Sequence, residues 1–362
     1  MSMNLPPRFS NPLLTQKMWD SVNSLQDSGL DLLMRYQEPG GAAPDRTAAA
    51  AWLKRRIDGL TPERVLVTSG AQGAFHAVLG TLASPGDVIL TEALTYPGFR
   101  SAASHLRLEL VAVEMDEHGL LPEALEEAVN RHRPKALYCM PTLHNPTTRT
   151  IPLSRRREIL DIARKSQLCI IEDDAYGSLV DGGPPTLVAL APELVYYVAS
   201  MSKCLAPALR TAYLAVPDGR LAARIAGSIR AAASIVSPLS GAIATRWIEE
   251  GIADEVVAAI VQEATARTSA TKLILPREAE LSTGFHVWFK AMLPWSRGEL
   301  VARLRAEGVG VVASDAFSVS AAAPEAIRLG LGVPETIGEL EKSLGIITDL
   351  LSQEPAGSTM VV

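Results

Sequence analysis

From residue 64 to residue 217 the chain repeats one pattern, a short apolar run rich in β-branched residues followed by a segment of helical period. The runs are "VLVTSG", "DVILTEA", "LELVAVEMD", "ALYCMPT", "LCIIEDDAY", "LVYYVAS" and "TAYLAVPD". Runs without polar alternation suit strands buried on both faces, and most of the intervening segments are long enough for a crossover helix. The pattern therefore predicts an α/β fold built on a mostly parallel seven-stranded sheet with helices on both sides. The interval from Lys203 to Arg210 is too short for a crossover helix, so at least one neighbouring strand pair is expected not to be parallel.

After Pro217 the texture changes to an Ala- and Ile-rich helical tract, about residues 219 to 275. Beyond it, "GFHVWFKAML", "GVGVVAS" and "AIRLGLG" predict strands of a smaller α/β domain that ends in a helix around residues 334 to 352, and the final "SQEPAGSTMVV" reads as a frayed tail. The expected division is an N-terminal arm with part of the small domain over 1–42, a large domain over 43–265 and a small C-terminal domain over 266–362. No internal repeat or low-complexity linker separates them, so the parts are expected to pack closely.

Composition narrows the function. Of 362 residues, 48% are hydrophobic and 20% charged, the balance of a large globular protein with a substantial core. The formal net charge of -6, with basic clusters such as Arg155-Arg156-Arg157 dispersed, argues against a nucleic-acid partner for this chain. Cys139, Cys169 and Cys204 have no metal-ligand spacing and read as buried thiols of a reducing cytoplasm, while the six histidines are scattered, so no metal is expected. The start has no signal-peptide core, and no apolar run approaches the length of a bilayer span, so a membrane role is not expected either.

Ligands of open α/β sheets collect beyond the carboxyl ends of the strands, so the residues just after each run are the informative ones. They are Ser69-Gly70-Ala71-Gln72, Tyr96, Asn145, Asp173 with Tyr176, and Ser200, Ser202 and Lys203 with Arg210. In "VTSGAQGAFHAVLGTL" a strand runs into a Gly turn and a helix, which points backbone N–H groups at any anion lying there. Ser200, Ser202 and Arg210 would complete such an anion site. Singly, each residue has a plainer reading: Asp173 as a cap or ion-pair partner, Tyr176 as packing, Asn145 as a turn residue before Pro146. Jointly they supply an anion cradle, a carboxylate, donors to an oxyanion and an amine. A phosphorylated pyridine aldehyde needs that set.

The stretches "YQEPGG", "TSGAQGA", "TYPG", "HNPTT", "EDDAYG", "SMSKCLAPALRTAY" and "IRLGLG", in this order, resemble those of the fold-type I, pyridoxal-phosphate-dependent aminotransferases of class I/II. "GFHVWFKAMLP" and "GVGVVASDAF" are most similar to the aminotransferase-like domain of MocR-type regulators. The resemblance implies pyridoxal 5'-phosphate as cofactor, held by Lys203 as a Schiff base, with Asp173 on the pyridine nitrogen and Tyr96 stacked on the ring. Asn145 and Tyr176 would hold the phenolate oxygen. Gly70, Ala71, Gln72, Ser200, Ser202 and Arg210 would hold the phosphate, and Tyr36 would reach the phosphate of a neighbouring subunit. Arg328, with Asn145, would grip the α-carboxylate of the substrate.

On that resemblance the chain is expected to be a cytoplasmic, homodimeric transaminase that moves an amino group between an amino acid and a 2-oxo acid. Lys203, desolvated and beside cations, is expected to lose its proton more readily than free lysine. Thr148 stands where the family has Gly. MocR-type regulators carry a winged-helix domain ahead of this one, whereas the chain starts at "MSMNLPPRF"; it is expected to be either a stand-alone enzyme of that branch or the aminotransferase-like part of a longer protein. Two alternatives stay open: an effector domain that senses amino acids without turnover, and another reaction of the same cofactor, namely racemisation, elimination or decarboxylation.

Overall fold

The computed structural model describes residues 1–232, 235–275, 279–290, 295–320 and 322–353. Every apolar run of the first part forms a strand. β1 (Val65–Thr68), β2 (Val88–Glu92) and β3 (Glu109–Val113) come first, and a small ribbon of β4 (Met115–Asp116) with β5 (Gly119–Leu120) follows. Then come β6 (Ala136–Cys139), β7 (Cys169–Asp173), β8 (Val195–Ser200) and β9 (Ala212–Ala215). Apart from the ribbon they make one seven-stranded sheet in the order β1-β9-β8-β7-β6-β2-β3. Its central strands are buried along their length, which is why their sequences lack polar alternation.

From β8 to β3 every pairing is parallel. β9 is antiparallel to both β8 and β1, as the short Lys203 to Arg210 interval requires. Crossover helices such as Gly70–Leu82, Pro97–His105 and Leu153–Ser166 link the parallel strands. The apolar tract after Pro217 divides into three helices, Gly219–Ala231, Pro238–Glu249 and Ile252–Ile274. Pro238 starts the second as its first residue, and Gly251, at φ 75°, turns the chain into the third.

The small sheet has the order β10-β11-β13-β12 and is antiparallel throughout, formed by β10 (Ala279–Leu281), β11 (His286–Lys290), β12 (Val312–Ala313) and β13 (Ala326–Gly330). The helix Ile337–Leu351 packs along Ile252–Ile274, and that long helix runs without a break through residue 265. Residues 291–294 of the "GFHVWFKAMLP" stretch and 354–362 of the expected tail lie outside the described residues. Among the described residues no helix is long and apolar enough to cross a membrane.

Two sets of backbone bonds close the cleft between the sheets. Thr95 N–H donates to Phe317 O at 2.8 Å and Val319 N–H to Ala93 O at 3.0 Å. On the other flank the N-terminal residues run beside β13, where Gly330 N–H donates to Met1 O at 2.8 Å. A side chain at Gly330 would run into Met3 O, so the close approach of this segment needs glycine.

Candidate active site

The carboxyl ends of the parallel strands, the start of the helix Gly70–Leu82, and β12 and β13 enclose a cavity of about 490 Å³. Ala71, Gln72, Tyr96, Asn145, Asp173, Tyr176, Ser200, Ser202, Lys203, Arg210 and Arg328 all line it. Gly70 sits behind that wall at φ 70°, where a β-carbon would lie 3.4 Å from Arg210 Nη2. Tyr36 is fully exposed and is not part of this cavity.

β7 settles which acid of Glu172-Asp173-Asp174 faces the cavity. Glu172 accepts from Leu187 N–H at 3.0 Å and Val188 N–H at 2.9 Å, and Asp174 pairs with Arg56 at 3.0 Å and accepts from Tyr197 Oη at 2.7 Å. Only Asp173 lines the cavity. Its Oδ2 accepts from Tyr138 Oη at 2.7 Å, and its Oδ1 is buried without a partner. Burial, reinforced by the Asp174 and Glu92 carboxylates, raises its pKa to about 7 against the pull of the Tyr138 bond. An unpaired buried carboxylate oxygen is costly and awaits a donor.

Lys203 follows β8. Burial first, then the Arg328 and Arg210 guanidinium groups, depress its ammonium to about 8 despite the attraction of Asp173, in the direction the sequence suggested. Its Nζ donates to Asn4 O, and Asn4 Nδ2 donates to Tyr176 Oη at 2.6 Å. Arg328, on β13, donates from Nη1 to Asn145 Oδ1 at 2.9 Å and from Nη2 to Ser2 O at 2.7 Å, and its Nε is buried without a partner. Tyr96 is raised by burial and bonds Gln72. Behind Asn145, His144 bonds Thr147 Oγ1 at 2.8 Å and Leu94 O at 3.0 Å. His286, pushed by burial to about 3 and therefore neutral, meets His144 O at 3.2 Å.

Asn4, Ser2 and Tyr138 were not among the residues singled out in the sequence. Ser2 and Asn4 each bring a main-chain carbonyl, which no side-chain pattern announces, and Tyr138 lies inside a strand run.

The residues fit a phosphorylated pyridine. The helix Gly70–Leu82 has no side-chain cap on its first N–H groups, and Arg210, Ser200 and Ser202 share the cavity with them, which makes an anion site. The unpartnered Asp173 Oδ1 suits a protonated ring nitrogen, and Lys203 suits an aldehyde. Among the described residues no cluster of His, Cys, Asp and Glu could hold a metal ion.

Comparison with known proteins agrees. The family model described as aminotransferase class I and II matches residues 11–344. A curated relative from Bacillus subtilis, described as the uncharacterized HTH-type transcriptional regulator YdeF, is 32% identical over 97% of this chain and 76% of its own length. A 2-aminoadipate transaminase from Thermus thermophilus is 29% identical over 88% of this chain and 83% of its own. The crystal structure of LysN, the α-aminoadipate aminotransferase of Thermus thermophilus complexed with N-(5'-phosphopyridoxyl)-L-leucine, superposes with a TM-score of 0.85 at 25% identity, covering 97% of this chain and 91% of that one. The chain therefore belongs to the class I and II aminotransferase family: it is a pyridoxal-phosphate-dependent transaminase of fold type I, acting on amino acids and 2-oxo acids.

Proposed function

We propose that Lys203 is the covalent attachment point of the cofactor and the acid–base group of the transamination, with Asp173, Asn145, Tyr176 and Tyr96 holding the ring. Gly70, Ala71, Gln72, Ser200, Ser202 and Arg210 hold the phosphate. The observation that carries this reading is the meeting of a depressed amine, Lys203, and an unpartnered buried carboxylate oxygen, Asp173 Oδ1, in one cavity with Arg328.

When bound, the cofactor supplies an electron-withdrawing ring that accepts the electron pair left at the substrate Cα. The protein does the rest. Arg328 meets the α-carboxylate with its planar fork and so fixes the direction of the Cα–H bond, with Asn145 braced against Nη1. Lys203, near neutrality in charge preference, takes the Cα proton and later returns one. Asp173 would offer its negative charge to the ring nitrogen, and Tyr96 would help to hold the ring. Release of the first 2-oxo acid and entry of a second reverse the sequence.

Ser2 O and Asn4 O hold Arg328 and Lys203 until substrate and cofactor take those donors over. Two copies of the chain form the working unit: Leu13, Trp19, Met34 and Tyr36 are large apolar or aromatic side chains left exposed toward the N-terminus, and Tyr36 is free to reach a partner's phosphate. Light scattering of the eluting protein checks the dimer.

The test of function adds a panel of amino acids to the purified protein loaded with cofactor and follows both its visible absorbance and 2-oxo acid release. Absorbance change with stoichiometric 2-oxo acid is expected. Absorbance change without product favours a ligand-sensing role instead.

A further inference from the structure

We infer that Asn4 is a positioning residue of the reaction: its side-chain amide fixes the Tyr176 hydroxyl so that the hydroxyl's hydrogen is given to the cofactor. This rests on the reading of Tyr176 as a donor to the phenolate oxygen.

Asn4 is buried and lines the cavity beside Tyr176 and Lys203. Its main chain is anchored on both sides. Before it, Gly330 N–H donates to Met1 O at 2.8 Å and Arg328 Nη2 to Ser2 O at 2.7 Å. After it, Leu5 O lies so close to Gly332 that a β-carbon on that glycine would collide with it. At Asn4 itself the carbonyl accepts from Lys203 Nζ. These contacts hold the backbone and so set the direction of the side chain, whose Nδ2 donates to Tyr176 Oη at 2.6 Å. Truncating that side chain leaves all the main-chain anchors in place.

The Tyr176 ring is buried, packed edge-on against Phe285 at 5.8 Å and tilted on His286 at 5.3 Å, which leaves the hydroxyl hydrogen as the part free to turn. Burial, opposed by Arg328 and the Asn4 bond and reinforced by Asp173 and Tyr96, holds the phenol well above its ordinary range. Tyr176 therefore stays protonated and has a hydrogen to give. A phenolic oxygen that accepts from an amide N–H directs its own O–H away from that donor, and the bond it accepts strengthens the one it donates. Alanine at position 4 would leave the hydroxyl free to rotate. Aspartate, with acceptor atoms alone, would turn the hydrogen toward itself.

The consequence falls on the proton that the phenolate oxygen shares with the Lys203 nitrogen once the cofactor is bound. A donor to that oxygen draws off negative charge, so the proton leaves at lower pH, and losing the donor moves the midpoint up. The charged and titratable groups facing this place are Lys203, Asp173, Arg328, Arg210, Tyr96 and the neutral His286. All of them are common to the variants compared and cancel.

The test follows the visible absorbance of the protein, saturated with pyridoxal phosphate, as a function of pH in wild type, Asn4→Ala, Tyr176→Phe and the double variant. Tyr176→Phe is expected to raise the midpoint by about 1 pH unit or more and Asn4→Ala by about 0.5 unit, whereas Asn4→Ala adds nothing in the Tyr176→Phe background. Asn4→Asp, measured in the same two backgrounds, is expected to raise the midpoint more when Tyr176 is present; its charge acts in both and drops out of the difference. An Asn4 shift of equal size in both backgrounds, or no Asn4 shift where Tyr176→Phe gives one, overturns the role of Asn4 and leaves the reading of Tyr176 standing. No shift in Tyr176→Phe itself refutes that reading, and the role of Asn4 with it.

Discussion

Replacing Asp173 with Asn isolates the cost of holding a carboxylate for a partner that arrives with the cofactor. In the apoprotein Asp173 is buried, bonded at Oδ2 by Tyr138 at 2.7 Å and unpartnered at Oδ1. Burial carries its pKa from an ordinary 3.8 to about 7. A folded-state pKa above the unfolded one means that the folded protein binds the extra proton between these values. The group's contribution is therefore fully favourable below pH 4, fades as pH rises, and has become a cost above pH 7. For one proton over that interval the cost is on the order of 4 kcal/mol. Asn keeps the shape and an oxygen for Tyr138 while removing the charge.

Urea denaturation of both apoproteins at pH 4.5 and pH 8 reads the difference. The variant is expected to gain at least about 2 kcal/mol on the wild type in going from the lower to the higher pH. His286, whose depressed pKa acts in the opposite sense, is common to both proteins and cancels. With cofactor the order reverses, because the charge then has its partner and binding to the folded state stabilises it. A pH-independent loss of stability in the apo variant would refute the argument that this carboxylate is a strained, waiting group.

Three further outcomes are expected. Tyr138→Phe keeps the ring stacked on Phe99 at 3.7 Å but strips Asp173 of its hydroxyl donor, so the apoprotein should lose about 1–3 kcal/mol at pH 8 and much less at pH 4.5 by the same urea assay. Thr148→Gly removes a buried β-branched residue from the left-handed region, φ 65°, and should raise the unfolding free energy by about 0.5–1 kcal/mol in the same urea assay, with unchanged turnover. The rate of cofactor capture by apoprotein, followed by visible absorbance, should rise about tenfold per pH unit below 8 and level off above it, because only the neutral Lys203 amine attacks an aldehyde.

Much of this was legible in the chain. The seven strands of the main sheet are continuous apolar runs because they are buried on both faces, and their ends point at the site residues by a general rule of open α/β sheets. The antiparallel insertion of β9 followed from a connection too short to cross over. β10 escaped notice because "AEL" is short and carries a glutamate that pairs with Arg149 at 2.9 Å. Thr148 was visible as a departure, and its positive φ supplies the physical reason for glycine at such a place. The N-terminal contribution was not legible, since the bonds from Lys203 and Arg328 go to main-chain oxygens of "MSMN".

The most direct measurement is of the covalent bond itself. The protein loaded with pyridoxal phosphate is reduced with borohydride, digested, and its peptides are mapped by mass spectrometry. A phosphopyridoxyl group on Lys203, with visible absorbance and turnover both lost in Lys203→Ala, is the expected result. The label on a different lysine, or full turnover in Lys203→Ala, would contradict the assignment on which the chemistry of this cleft depends.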